Sequence, residues 1–250
     1  LTSVALVTGR GTPRPHWPWK LPLIRAVCMA GSQFAFFTAV ADAGVAVSTV
    51  LCIGIAPIFA GILSAWYLHH APDRTWGIAT AIAIFGAMAM VLGTAFEMNG
   101  SLFGPVLAML AGAGYAVYIT VSKRMMQLGC ASIDVAAAIF GGAALMLLPA
   151  FLLGDWQWVL EPHGAAVALY LGLATNTIPY LLFGVGLVMV PVATAATLTM
   201  GEPLVATMLG VVWLGERLTV LQWSGAVLLF VGLLVLALPQ RFRPAVLRPA

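Results

Sequence analysis

Six stretches of this chain run for 20 residues or more without a single Asp, Glu, Lys or Arg: 43–72, 75–96, 98–122, 135–154, 162–201 and 218–240. A bilayer core of about 30 Å is crossed by about 20 apolar residues at 1.5 Å rise each. Each stretch is therefore long enough to span. The stretch 162–201 is too long for one span and divides at Pro191, which suits the first turn of a new helix better than the interior of an old one. The pattern predicts eight helices, at 22–41, 45–68, 75–94, 103–122, 132–153, 164–187, 191–214 and 219–238. Polar or Pro/Gly punctuation separates them, as at Ala71-Pro72-Asp73-Arg74 and Met98-Asn99-Gly100-Ser101. No run alternates in polarity as a barrel strand would. The expected fold class is an all-α polytopic membrane protein.

Composition removes the rival classes. Hydrophobic residues make up 62% of the 250 and charged residues 8%, against about 25% charged in a soluble domain. A soluble enzyme, a nucleic-acid-binding domain and a disordered chain are excluded. The net charge of +3 speaks to loop sidedness rather than to nucleic acid. Cys28, Cys52 and Cys130 form no CxxC pair and read as small buried hydrophobes. His69 and His70 point about 100° apart on a helix and make a poor metal pair, and His16 and His163 complete no HxxxH motif, so no metal and no cofactor is expected. Walker A, GxSxG and HExxH sequences are missing, and the chain is not read as an enzyme.

Laid on itself with an offset of 146, the distance from Pro57 to Pro203, the chain repeats. Val45–Leu68 matches Pro191–Leu214 without a gap, pairing Ala60 with Ala206, Leu63 with Leu209 and Leu68 with Leu214. The same offset pairs Phe37 with Phe183 and Gly86 with Gly232. The expected organisation is a first repeat at 1–97, a second at 101–239 and a basic tail at 240–250. Residues 1–7 match the end of a helix, so the first repeat is read as truncated by about 45 residues, and the plan as two repeats of five helices. Five is odd, so the second repeat enters from the opposite side, the inverted arrangement of secondary transporters. The charges agree. With the loop 10–25 in the cytoplasm, ten of the eleven Lys and Arg fall on the cytoplasmic side and only Arg217 outside. The positive-inside rule puts the C-terminus in the cytoplasm and the protein in the cytoplasmic membrane.

The stretch Gly201–Thr219, with Glu202-Pro203 and Leu214-Gly215-Glu216, then Gln222 and Gly225, resembles the second repeat of the EamA family of the drug/metabolite transporter superfamily. Gly112–Arg124, with Tyr115, Tyr118, Lys123 and Arg124, is similar to the helix that opens that repeat. The resemblance covers essentially the whole chain. It implies alternating-access export or exchange of small metabolites, amino acids or drugs. In the first repeat Leu68-His69-His70 stands where the second has Leu214-Gly215-Glu216, so the family's acid is replaced there.

Glu202 is read as the only acidic residue within a span, about eleven residues into its helix. A charge at that depth costs roughly 2.5–3.5 kcal/mol, so it is expected to face the bundle interior as a proton-coupling or cation-binding carboxylate. The competing reading is a neutral acid that packs beside Pro203. Thr199 shares its helix, and Pro57 and Pro203 are read as helix breaks. Asn176 and Gln33 carry primary amides, which need several partners in lipid. Tyr115 and Tyr118 lie three apart, on one face. These are the expected substrate and proton pathway candidates. The partners are a small molecule and the bilayer, with a homodimer left open and no nucleic acid. The rival readings are a nucleotide-sugar-type exchanger, which calls for a cavity-facing Lys or Arg, and a non-transporting scaffold or receptor.

Overall fold

The computed structural model describes residues 20–92, 102–215 and 217–238. The segment 1–9, residues 10–19 of the basic loop, the loop 95–101 with Glu97, Glu216 and the tail 240–250 lie outside them.

The described residues are helical throughout their long segments. Helix α1 covers Lys20–Ala43, α2 Val45–Trp66, α3 Arg74–Leu92, α4 Phe103–Gln127 and α5 Ser132–Leu153. A short 3-10 turn, Gln157–Leu160, leads to α6, Pro162–Tyr170. A π-helical segment, Leu171–Thr177, joins α6 to α7, Ile178–Met189. Then come α8, Val192–Leu198, α9, Gly201–Leu214, and α10, Val220–Ala237. Taken with their continuations, they give eight segments long and apolar enough to cross a membrane. The expected boundaries agree within two residues except at one place. α4 runs on to Gln127 instead of stopping at 122. Lys123 and Arg124 argued for a loop, but Lys123 is satisfied inside the protein, as shown below, and the helix ends only where Gly129 takes a φ of 87°.

The other ends have equally local causes. Gly44, at φ 81°, turns the chain between α1 and α2. The side chain of Asp73 accepts from the Trp76 N–H at 2.7 Å and caps α3. Thr219 and Gln222 form a reciprocal capping box at the start of α10. α9 ends at Gly215 with φ 67°, and the chain beyond α2 passes through His69 at φ 53°.

The helices form two compact units, residues 20–31 with 121–190, and residues 32–120 with 191–238. In the first, Phe140 of α5 meets Tyr180 of α7 edge-on at 4.7 Å between ring centroids. In the second, α3 and α10 cross at their glycines. A Cβ on Gly86 would meet the Leu229 amide nitrogen and lie 2.7 Å from the Gly225 carbonyl oxygen. One on Gly232 would lie 2.8 Å from the Ala79 carbonyl and 2.9 Å from the Ala83 nitrogen. One on Gly225 would lie 2.6 Å from both the Gly86 carbonyl and the Met90 nitrogen. As the contacts advance along α3 they retreat along α10, so the pair is antiparallel. Lipid tails are as apolar as Leu, so membrane helices associate through such close backbone approach rather than through hydrophobic burial. Ala83, Ala87, Met90, Met200, Ala226 and Leu229 form the buried cluster around the crossing.

Candidate translocation site

The segment 191–214 is one span in length but two helices in structure. Pro203 has no N–H to close an i−4 bond, and the backbone answers with tighter turns. Met200 N–H donates to the Thr197 carbonyl at 3.0 Å and Glu202 N–H to the Thr199 carbonyl at 3.1 Å. α8 ends at Leu198, and α9 starts afresh at Gly201 with Glu202 in its first turn. A carboxylate there lies at the positive end of the α9 dipole. Glu202 is exposed rather than enclosed by neighbouring side chains. It lies within electrostatic reach of Cys52 on α2. The other proline expected to break a helix does not do so: α2 runs through Pro57 uninterrupted.

Around this break, three side chains meet that sequence reading did not join. Thr197 of α8, fully buried, bonds Thr80 of α3 at 2.9 Å and accepts from the Trp76 indole N–H at 3.0 Å. Its hydroxyl also lies 3.1 Å from the Ala193 carbonyl. Thr199, half-buried, donates its hydroxyl to the Ala196 carbonyl of its own helix. In the same unit α4 presses on α2, since a Cβ on Gly112 would meet the Cys52 carbonyl and the Ile55 side chain. Tyr115 and Tyr118 follow on α4, stacked at 5.6 Å, with Tyr118 buried. Gln33 is half-buried on α1. The hydroxyls of Ser32 and Ser48 are buried with no hydrogen-bond partner among the described residues. Of the sequence candidates, then, Glu202, Thr199, Tyr115, Tyr118 and Gln33 share one unit.

Asn176 belongs to the other unit and is spoken for locally. The carbonyl of Leu171 accepts from Thr175 Oγ1 at 2.7 Å and from Asn176 Nδ2 at 2.9 Å. Thr177 Oγ1 reaches the Gly172 carbonyl at 2.8 Å. These bonds occupy carbonyls in the widened turn that precedes Pro179. Asn176 is exposed and its amide serves its own backbone, the structural use that such residues commonly have. Two charged residues of this unit were missed. Lys123 donates to three carbonyls at the end of α7, those of Leu187 at 2.6 Å, Val188 at 2.9 Å and Val190 at 3.1 Å. Asp134 corrects the view that Glu202 is the only acid in a span. It sits in the first turn of α5, is 6% exposed, and its Oδ1 has no hydrogen-bond partner among the described residues. Its place two residues from the start of the predicted helix is the signal that was overlooked.

A model of the EamA-like transporter family matches residues 102–238, more than half of the chain. The chain belongs to the EamA-like transporter family. Several transporters align with it. An uncharacterised transporter of Bacillus subtilis strain 168, YwfM, is 39% identical over 226 residues, 90% of this chain and 76% of that protein. The threonine/homoserine exporter RhtA of Escherichia coli K12 is 31% identical over 212 residues, 81% of this chain and 66% of RhtA. An uncharacterised transporter of Archaeoglobus fulgidus is 27% identical over 205 residues, 80% of this chain and 70% of its own. The chain thus spans about two thirds to three quarters of these relatives. A solved crystal structure superposes with a TM-score of 0.80 over 97% of this chain and 84% of the other, at 19% identity, which speaks to the fold alone. As an EamA-like protein the chain is a membrane-embedded transporter of small molecules and not an enzyme.

Proposed function

We propose that this EamA-like chain works as a small-metabolite exporter, by alternating access between two inverted repeats of a ten-helix plan, in the cytoplasmic membrane with its C-terminus inside. The repeats correspond to 1–97 and 101–239. The observation that carries the reading is the α3–α10 crossing. Shifted by 146, Gly86 becomes Gly232, Ala79 becomes Gly225 and Ala83 becomes Leu229. The contacts of Gly86 with Gly225 and Leu229 therefore turn into those of Gly232 with Ala79 and Ala83, and both sets are present. A contact pattern that maps onto itself has a two-fold axis. The helices are antiparallel, so a two-fold relation between them would run across them, and this supports the inverted repeats proposed.

Helix ends follow the same offset. Ala43 shifts to 189, the last residue of α7, and the caps Asp73 and Thr219 are 146 apart. So are the left-handed residues His69 and Gly215. The break beside Glu202 has no counterpart at Pro57, and on the same offset Glu202 faces Ala56, so this carboxylate has no symmetric partner in the proposed frame. That is a suitable place for proton or cation coupling, with Gln33, Thr199, Tyr115 and Tyr118 as further pathway residues. Similarity to a threonine/homoserine exporter makes small amino acids the first substrates to try. An unbiased metabolite profile of medium and cytosol, from cells with and without the protein, tests this. Accumulation of one or a few small polar metabolites outside the expressing cells supports export. Unchanged profiles across the amino-acid and amine classes argue against it.

A further inference from the structure

Beyond the translocation site, a groove of about 630 Å³ opens between α2 and α3. Ile58 and Ile62 of α2 and Ile84 of α3 give it an apolar lining. Its mouth carries Asp73 and Arg74, one charge of each sign, at the start of α3. Arg74 is exposed, and its guanidinium makes no ion pair or hydrogen bond among the described residues. Trp76 lines the wall, its ring against Gly61, where a Cβ would come 3.1 Å from Cζ2. The lining from Arg74 to Ile84 covers ten helical steps, about 15 Å. That is the depth of one leaflet, half of a hydrocarbon core of about 30 Å.

We infer that this groove is a binding site for one phospholipid with a zwitterionic, phosphatidylethanolamine-type headgroup. The phosphate accepts from the Arg74 guanidinium, which presents several N–H donors in a fixed fork. The ammonium donates to the Asp73 carboxylate, whose two oxygens offer several acceptor sites. One acyl chain lies along the isoleucines. Paired opposite charges at the mouth, over an apolar trough one leaflet deep, match that ligand and do not match an anionic headgroup, which Asp73 repels. The site also has a route inward. The groove wall, Trp76, holds Thr197 through its indole N–H, and Thr197 lies in the last turn of α8, just before the break that carries Glu202. A seated lipid therefore steadies the residues 197–202.

The binding claim does not need the transport reading, and its test measures no transport. Purified protein in detergent is titrated with dioleoyl phosphatidylethanolamine or dioleoyl phosphatidylglycerol and examined by native mass spectrometry. Arg74→Gln removes the phosphate contact, and Ala81→Phe, at an exposed position of the lining, fills the trough. The expected result is one ethanolamine lipid retained by the wild type, at least tenfold less by either variant, and weaker retention of the glycerol lipid. Hydrogen exchange at 197–202 should slow on adding the ethanolamine lipid to the wild type but not to Ala81→Phe. Equal retention by wild type and Ala81→Phe overturns the site, as does tighter binding of the glycerol lipid. A dimer lost in Ala81→Phe would show instead that a second copy covers the groove. Lipid retention without any change in exchange at 197–202 overturns the inward coupling.

Discussion

Glu202 owes its position to one proline. Pro203 denies α9 an upstream bond, the backbone restarts at Gly201, and the carboxylate is left at a helix start instead of mid-helix. If this group carries the coupling proton, Glu202→Gln keeps the shape and abolishes the carrier. Gradient-driven transport should fall to background, while exchange that needs no proton persists. Transport by the Gln variant with an unaltered pH profile would leave Glu202 a packing residue. His69 makes a separate residue-scale case. It holds a left-handed backbone, φ 53°, at the position where the second repeat has Gly215, and a side chain there costs about 1–2 kcal/mol. His69→Gly should therefore raise the melting temperature in detergent by about 2–4 °C for each kcal/mol recovered in a domain of this size. No rise would mean that the His69 side chain makes a compensating contact.

At the scale of elements, spans were legible because a membrane helix cannot carry many charges, and uncharged runs mark its extent directly. The same rule misjudged α4. Lys123 looks like a loop residue in sequence, and only the folded chain brings it to the α7 carbonyls. Breaks were half legible. A proline says where an N–H is missing but not how neighbours accommodate it, so Pro57 sits in a continuous helix and Pro203 beside a gap. The meeting of Trp76, Thr80 and Thr197 was not legible at all, since it joins residues more than a hundred apart. The glycine crossing gives the element-scale prediction. Gly86→Ala and Gly232→Ala each push a methyl into the backbone of the facing helix, and should each destabilise by about 1–3 kcal/mol. Gly77→Ala, with nothing within 4 Å of the new carbon, should be neutral or mildly stabilising. Thermal unfolding of the three variants decides, and similar stabilities for all three would contradict the close crossing.

At the scale of the molecule, the proposed repeat rests on an offset of 146, and its inversion on an odd number of helices per repeat and on the loop charges. The antiparallel, self-mapping contact of α3 with α10 is the independent support that only coordinates supply. Sidedness is checked by single cysteines in a Cys-free background. Gln157→Cys, exposed in the 3-10 turn, should react with an impermeant thiol reagent on intact cells, and Leu128→Cys, exposed after α4, should not. The reverse pattern would place the cytoplasm on the wrong side of every helix. The central claim is that this chain moves a small solute by alternating access. Counterflow in proteoliposomes tests it most directly, with unlabelled threonine or homoserine inside and a trace of the labelled compound outside. The account predicts transient accumulation of label that needs the protein and survives in Glu202→Gln. Label that merely equilibrates, with or without protein, for these and a wider panel of small metabolites, would contradict it.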